Sequence, residues 1–439
     1  MNTRFASPSG GLLRRLFRGL DGVALRAGAL VAALVLPLAH ALDPPDGDLT
    51  RMGGFAENRF GPAAPQAIFV PPLAEALRPG TPYDVVVAGD GFSRPDPSDG
   101  RTPYGHYWTD HLRNLTGLSV GVLHLDETPL TRYLASADFR DHPPRALILE
   151  MAERDLPART ADLSAPAESL LDTPNPMAAP MAAPMAAAAA PVMTVAQPPA
   201  PPQAGAQAAH QAAHQTAPLV PKAMGRTPRP WPRDRAHAWT APPVGHAMDM
   251  LVKAVPRALL NLPAPSVQER TLVYAGLFSS AASSSTLFRA DDFLPWRADR
   301  ALLEERRRSL LRLQAAVEAN GRTRFLLMVA PDKGTVYADY LLEPPSVRSA
   351  VEEVLTADRT LHLAPLASGL KALAAGGVTD LYKPNDSRWG TEGHAYAARV
   401  VQATLARLGV LVPVEAPNVA TLPCPRPSSD CAPFQAQTD

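Results

Sequence analysis

The sequence has no surplus of charge of either sign and very little cysteine. Its 439 residues include 42 basic and 42 acidic side chains, so the formal net charge is zero. Proteins that bind nucleic acid or an anionic membrane surface need a surplus of lysine and arginine. The charge balance therefore excludes nucleic acid as an expected partner and argues against a polybasic membrane-surface protein.

The chain has only two cysteines, Cys424 and Cys431, and both lie in a proline-rich tail. A structural zinc site needs four ligands, and no further Cys or His pair lies near these two. We therefore expect no metal site and no cofactor. In an oxidising compartment the two thiols can close a small local loop as a disulfide.

No apolar stretch is long enough to span a bilayer comfortably, and the longest one is near the N-terminus. Arg14, Arg15 and Arg18 precede the apolar run Ala27–Leu38, and 39–41 offers a small-x-small cleavage site. This order of a basic region, an apolar region and a cleavage site is typical of an export signal. Residues 1–41 are predicted to be a signal peptide or, alternatively, an uncleaved membrane anchor, and the remainder to be periplasmic.

Proline is abundant, with 49 residues, and much of it falls in one segment with alanine, glutamine and histidine. Such a segment has too little apolar surface to offset the entropy cost of ordering it, so it is predicted to be disordered. The predicted organisation is a signal or anchor at 1–41, a first domain part at 42–156, a disordered insertion at 157–245, a second domain part at 246–411, and a tail at 412–439.

Short apolar runs alternate with helical patterns in the ordered parts. This alternation predicts an α/β three-layer domain with a mainly parallel sheet. Strands are expected at Tyr83–Ala88, Ser119–Leu125, Ala146–Met151, Arg270–Gly276, Phe325–Ala330 and Leu361–Leu363. Helices are expected at Tyr104–Leu115, Leu130–Phe139, Ala301–Ala319, Ser346–Leu355, Leu366–Ala375 and Thr391–Leu408.

The most informative stretch is Tyr83–Arg94, where a buried strand runs into the turn Gly89-Asp90-Gly91-Phe92-Ser93. Open α/β sheets bind ligands at the carboxyl ends of their strands. The turn is therefore a candidate functional site. The ordered parts of the chain carry five motifs, and the first of them contains this turn. They are VVVAGDGFS at Val85–Ser93, YGHYWTDHL at Tyr104–Leu112, LILEMAERDL at Leu147–Leu156, FLLMVAPDKGTVYADYL at Phe325–Leu341 and DLYKPNDSRWGTEGH at Asp380–His394.

In order and spacing these motifs resemble the SGNH hydrolase-like domain of alginate O-acetyltransferases, the AlgX/AlgJ group. The resemblance implies an extracytoplasmic protein that acts on exported polysaccharide, alone or with proteins of a modification or export complex. It also implies a Ser-His-Asp triad, with the serine in the glycine turn and the other two residues in an Asp-x-His-Trp motif. Asp386 and Trp389 match that motif, but the histidine position is Arg388 and the serine position is Gly91.

Both replacements remove chemistry that acyl transfer needs. Gly91 has no hydroxyl to act as nucleophile, and a guanidinium such as that of Arg388 has no lone pair to accept a proton. We therefore expect a degenerate family member that binds or scaffolds, with Asp90, Gly91, Arg388, Trp389 and His394 as the substrate-binding set. Surviving backbone N–H groups in the turn and Arg388 would suit an acidic or acetylated sugar.

Two alternatives remain open from the sequence. Ser93 lies two residues beyond Gly91 and can serve as a displaced nucleophile, with His106 or His394 as base and Asp386 as the carboxylate. The protein would then be an active O-acetyltransferase or acetylesterase. In the third reading it is a structural subunit of a polysaccharide export complex that binds proteins and no sugar.

Overall fold

The computed structural model describes residues 26, 28–31, 47–55, 57–95, 104–161, 163, 219–231, 252–253 and 265–412. Most of the predicted signal or anchor, most of the predicted insertion, and the tail with both cysteines lie outside these residues. None of the described helices combines the length and apolar character that a membrane crossing needs.

The centre of the domain is a five-stranded sheet whose strands all run parallel to their neighbours. The strands are β2 (Glu75–Ala76), β3 (Val85–Gly89), β4 (Val120–His124), β5 (Ala146–Ala152) and β9 (Arg324–Ala330). Their order in the sheet is β2-β4-β3-β5-β9. Leu363 forms a single parallel bridge to Leu327 of β9, so the segment 361–363 continues the sheet on that side.

Two short antiparallel pairs lie outside the central sheet. β7 (Val267–Thr271) pairs with β8 (Ser285–Arg289), and β1 (Ala67–Ile68) pairs with β6 (Arg229–Pro230). The first pair packs its apolar residues against the short N-terminal helices in a small separate cluster that includes Leu49, Val267 and Leu287.

Helices fill the connections between the strands. They are α1 (Asp48–Gly53), α2 (Glu57–Phe60), α3 (Trp108–Thr116), α4 (Leu130–Leu134), α5 (Ala137–Asp141), α6 (Leu156–Ala161), α7 (Arg300–Glu318), α8 (Lys333–Tyr337), α9 (Val351–Thr356), α10 (Ala367–Ala375) and α11 (Thr391–Arg407).

Every residue of β3, β4 and β5 is buried. This burial shows that helices cover both faces of the central sheet. Alternate side chains of a strand point to opposite faces. Val85 and Val87 accordingly pack with α3, α8, α10 and α11, whereas Val86 and Ala88 pack with α4, α5, α7 and α9. The three-layer α/β fold with a mainly parallel sheet is confirmed.

Several element boundaries differ from the sequence-based expectation. The helix predicted at Leu130–Phe139 is two helices, because Ser136 caps α5 by accepting a hydrogen bond from the Phe139 N–H. The strand predicted at Arg270–Gly276 is shifted and ends at Thr271. The short elements β8 and α8 were not predicted, since their few residues carry no clear periodic pattern.

Part of the predicted insertion is ordered against the domain. In the segment 219–231, Leu219 forms a parallel bridge to Leu411, and the Lys222 N–H donates to the Thr116 carbonyl. Arg229 and Pro230 of the same segment form β6. Backbone hydrogen bonds to other parts of the domain supply this segment with partners that its composition cannot reveal.

Candidate functional site

The glycine turn follows β3 directly, at the carboxyl edge of the sheet. Asp90 holds the turn together, because its carboxylate accepts hydrogen bonds from the Phe92 N–H at 2.8 Å and the Ala152 N–H at 2.8 Å. The Asp90 carbonyl accepts the N–H groups of Ser93 and Arg94. Short side-chain to backbone bonds of this kind are typical of aspartate in tight turns. The observed contacts of Asp90 are therefore those of a residue that stabilises the turn.

Ser93 is buried below the turn and both of its hydrogen-bonding roles are occupied. Its hydroxyl donates to Oε2 of Glu150 at 2.6 Å and accepts from Nε1 of Trp108 at 3.1 Å. Only 1% of Ser93 is exposed. Gly89 is needed beside this pair, since a Cβ atom there would lie 2.7 Å from Oε2 of Glu150. The contacts make Ser93 a linker between the turn, β5 and α3.

Glu150 is fully buried and its Oε1 has no hydrogen-bond partner among the described residues. Burial, and then the nearby Asp90 carboxylate, raise the pKa of Glu150 well above its ordinary value. Both effects disfavour the ionised form of this carboxyl group. The Glu150 carboxylate is therefore not favoured as a base for Ser93.

Gly91 and Arg388 lie in direct contact across the site. A Cβ atom placed on Gly91 would lie 2.8 Å from Nε of Arg388 and 3.2 Å from its Cζ and Nη2. Real Cβ atoms essentially never approach a heavy atom as closely as 2.8 Å. A serine at position 91 would thus displace the guanidinium. The two departures from the triad motif are therefore sterically linked.

The loop that carries Arg388 is fixed by buried charges. Asp386 accepts the Arg388 N–H at 3.0 Å and forms a salt bridge of 2.8 Å with Nζ of Lys383. Burial opposes ionisation of Asp386, but Lys383 and then Arg388 outweigh it and hold the pKa of this carboxyl well below its ordinary value. Asp386 is thus ionised and paired with cations.

A second lysine holds the same loop from below. Nζ of Lys333, in α8, donates to the carbonyls of Lys383 and Pro384 and to the hydroxyl of Thr286. Burial lowers the pKa of Lys333 to about 7, although Asp292 and other carboxylates oppose the shift. Lys333 therefore ties the loop of Asp386 and Arg388 to the end of β9.

The histidines predicted as displaced bases lie together behind the turn. The His106 and His394 rings are 4.8 Å apart, centre to centre. Nδ1 of His394 accepts the Trp108 N–H at 3.2 Å, and Nδ1 of His106 donates to the Ala67 carbonyl at 2.9 Å. Burial lowers the pKa of His106 to about 3 and that of His394 well below its ordinary value. No described hydrogen bond joins either ring to Ser93.

The comparison with known families concerns the part of the site that carries Asp386 and Arg388. A family model for the SGNH hydrolase-like domain of the acetyltransferase AlgX matches residues 284–421. Residues 284–421 are thus similar to an AlgX-type SGNH domain, and the family model does not cover the rest of the chain. The matched residues include β9, α11 and the loop of Asp386 and Arg388, whereas the turn at Gly91 precedes them. No curated protein and no solved structure matches the chain.

The fold brings most of the sequence-predicted residues to one place, but few of them reach the surface. Only Gly91 and Arg388 are partly exposed, while Asp90, Asp386 and His394 are buried. Trp389 is also buried, with its ring 4.7 Å from that of Phe92. Trp389 therefore has no exposed face for contact with a ligand, although the sequence analysis placed it in the substrate-binding set.

The turn has fewer free backbone N–H donors than the sequence analysis predicted. The N–H groups of Phe92, Ser93 and Arg94 all donate within the turn. In the described part of the chain, the Gly91 N–H has no acceptor. An incoming oxygen would therefore meet this single N–H together with the Arg388 guanidinium.

Glu150 and Lys383 were not identified from the sequence as site residues. Glu150 lies inside an apolar run and Lys383 lies in a loop, and no local pattern distinguishes either of them from a surface charge. For Lys333 the sequence does carry a signal, because this residue follows β9 at the same sheet edge as the turn. Within the described residues, no group of three or more His, Cys, Asp or Glu side chains is arranged to hold a metal ion.

Replacement of Glu150 by Gln is expected to reduce the loss of stability at rising pH. The folded-state pKa of Glu150 is raised, so above the ordinary pKa of 4.5 the unfolded chain ionises while the folded protein does not. This one group then disfavours folding by up to about 1.4 kcal/mol per pH unit until its folded pKa is reached. Thermal unfolding of both proteins from pH 5 to pH 8 measures the difference.

The exposed Glu305 is the control, since Glu305→Gln should leave the pH dependence unchanged. Parallel melting curves for unmodified protein and Glu150→Gln across this range would show that Glu150 is ionised in the fold.

Proposed function

We propose that the protein is an extracytoplasmic AlgX-like protein of exopolysaccharide O-acetylation that binds acidic polysaccharide and does not itself transfer acetyl groups. The contact between Gly91 and Arg388 carries the proposal, because it replaces both the nucleophile and the base of an SGNH triad with groups that have neither function. Loss of the serine or the histidine alone costs on the order of a millionfold in turnover in a serine-hydrolase triad.

The same contact provides a binding group. Arg388 is partly exposed at the carboxyl edge of the sheet, beside the Gly91 N–H, which has no acceptor among the residues that the structure describes. A guanidinium presents a planar array of N–H donors that matches a carboxylate, and such charge-assisted hydrogen bonds are stronger than neutral ones. The ligand class that fits these donors is a uronate residue of an exported polysaccharide.

An active enzyme that uses Ser93 is the second candidate, and its contacts disfavour it. Ser93 is buried, donates to a carboxyl with a raised pKa and accepts from Trp108. We expect no acetyl adduct on Ser93 when the protein is incubated with an activated acetyl ester and analysed by mass spectrometry. Ser93→Ala is the control for adducts at other sites. An adduct that is lost in Ser93→Ala would support the active-enzyme alternative.

A purely structural subunit of an export complex is the third candidate. It would capture partner proteins in a pull-down from the periplasm and bind no sugar. The proposed function also includes export by means of the N-terminal signal or anchor. It includes partner proteins of a polysaccharide modification or export complex as well.

Titration calorimetry with oligouronates tests the proposed function. Arg388→Met is expected to weaken oligouronate binding by roughly tenfold to a hundredfold, the range for losing one charge-assisted hydrogen bond. The matched control is Arg399→Met, an exposed arginine on α11. Absence of heat with every oligouronate, or equal affinity in the Arg388 variant, would refute binding at this site.

A further inference from the structure

A separate cavity lies beyond β9, on the side of the sheet away from β3. It has a volume of about 340 Å³ and is formed by the ends of β5 and β9 together with α8, α9 and α10. This volume falls within the range of about 300–1,000 Å³ that is usual for small-molecule sites. We call it the β9 cavity, and the lining residues that matter here are Glu153, Thr335, Val351, Glu352, Leu363 and Lys371.

The carboxylates of the β9 cavity already have partners. Glu352 accepts the N–H groups of Ala367 and Ser368 at the start of α10, at 2.5 and 2.9 Å. Glu153 accepts the Asp332 N–H at 2.9 Å and the hydroxyl of Ser349. These carboxylates are fixed in position, and their remaining lone pairs are able to accept hydrogen bonds from ligand hydroxyls.

Two donors in the wall have no partner in the described part of the chain. The Thr335 hydroxyl makes no hydrogen bond, although the residue is 92% buried. The Lys371 ammonium forms no ion pair with a described residue, and it lies on α10 at the cavity. A buried polar group without a partner is uncommon in folded proteins and indicates a missing acceptor.

The lining also includes the aliphatic side chains of Val329, Val351, Leu355 and Leu363, which we call the aliphatic wall. A ligand that fits must therefore combine an apolar face with several groups that both donate and accept hydrogen bonds. The formal charge of the lining opposes an anion, since Glu153, Glu352 and the nearby Glu353 outnumber Lys371. Pyranose rings combine C–H faces with hydroxyls that serve as both donor and acceptor.

We propose that the β9 cavity is a binding site for a neutral sugar residue, held by Lys371 and Thr335 and by the fixed carboxylates, with its C–H face on the aliphatic wall. The site differs in charge preference from the turn, where Arg388 favours an acidic sugar. The inference goes beyond the proposed function and does not depend on Arg388.

A matched pair of ligands tests this site. Methyl glucoside and methyl glucuronide differ only in a hydroxymethyl group against a carboxylate, and saturation-transfer NMR with titration measures the affinity of each. We expect methyl glucoside to bind the unmodified protein more tightly than methyl glucuronide does at this cavity. Glucoside binding should weaken by roughly tenfold in each of two variants. These are Lys371→Met and Ser368→Trp, and Ser368 is an exposed residue at the rim of the cavity.

Two controls separate this site from the turn. Ala372→Trp places the same ring on the same helix at a residue that does not line the cavity, so it should leave glucoside affinity unchanged. Arg388→Met should also leave it unchanged. Failure of glucoside to bind, or equal binding in Ser368→Trp, overturns the inference. Failure of oligouronate binding with glucoside binding intact overturns the proposed function alone.

Discussion

The double variant Gly91→Ser, Arg388→His is expected to gain acetylesterase activity that we do not expect of the unmodified protein. It restores a hydroxyl and a proton acceptor at two positions that lie in contact, and Asp386 is already present in the same loop. Removal of the triad serine or histidine costs on the order of a millionfold. We expect only part of this to return, on the order of a hundredfold above background, because Lys383 still pairs with Asp386. Hydrolysis of an activated acetyl ester measures it.

The single variants are the controls. Gly91→Ser keeps a guanidinium where the base belongs, and Arg388→His keeps a glycine where the nucleophile belongs, so both should stay at background. The effects of triad members are not additive, which is why only the pair is expected to show activity. Equal activity in the unmodified protein and the double variant would contradict the account of a silenced site.

Replacement of Arg297 by Met is expected to destabilise the fold by about 3–5 kcal/mol, the usual cost of removing one partner of a buried ion pair. Arg297 is 2% exposed and forms a salt bridge with Asp332, which is itself fully buried. Its Nη1 also donates to the Asp291 carbonyl. Among the described residues, removal leaves the Asp332 carboxylate with Arg154 as its one cationic partner, at 2.7 Å. Urea unfolding followed by circular dichroism gives the difference in free energy.

Arg300→Met provides the matched control for this measurement. Arg300 pairs with Glu353 at 2.7 Å, but both side chains are more than 60% exposed. Exposed ion pairs contribute about 0–1 kcal/mol, so this variant should unfold close to the unmodified protein. A loss below about 1 kcal/mol for Arg297→Met would show that the buried network is dispensable.

The strands of the sheet were the most predictable part of the fold. Three of these strands are short apolar runs bounded by turns, namely Val85–Gly89, Ala146–Ala152 and Arg324–Ala330. This is the pattern of strands covered on both faces. The short hairpin of β7 and β8 was poorly predicted because its residues alternate only weakly. The segment 219–231 was missed because its order comes from backbone contacts with distant residues.

The sequence alone determined the α/β architecture, the likeness to the AlgX group and the absence of a hydroxyl and a base at positions 91 and 388, because each follows from residue types and their order. Only the tertiary structure decided that Gly91 and Arg388 touch, that Ser93 is bonded to Glu150 and Trp108, and that Trp389 is buried. These contacts join residues that lie up to about 300 positions apart in the chain, and they depend on how the sheet and its helices pack. No local pattern in the chain records that packing.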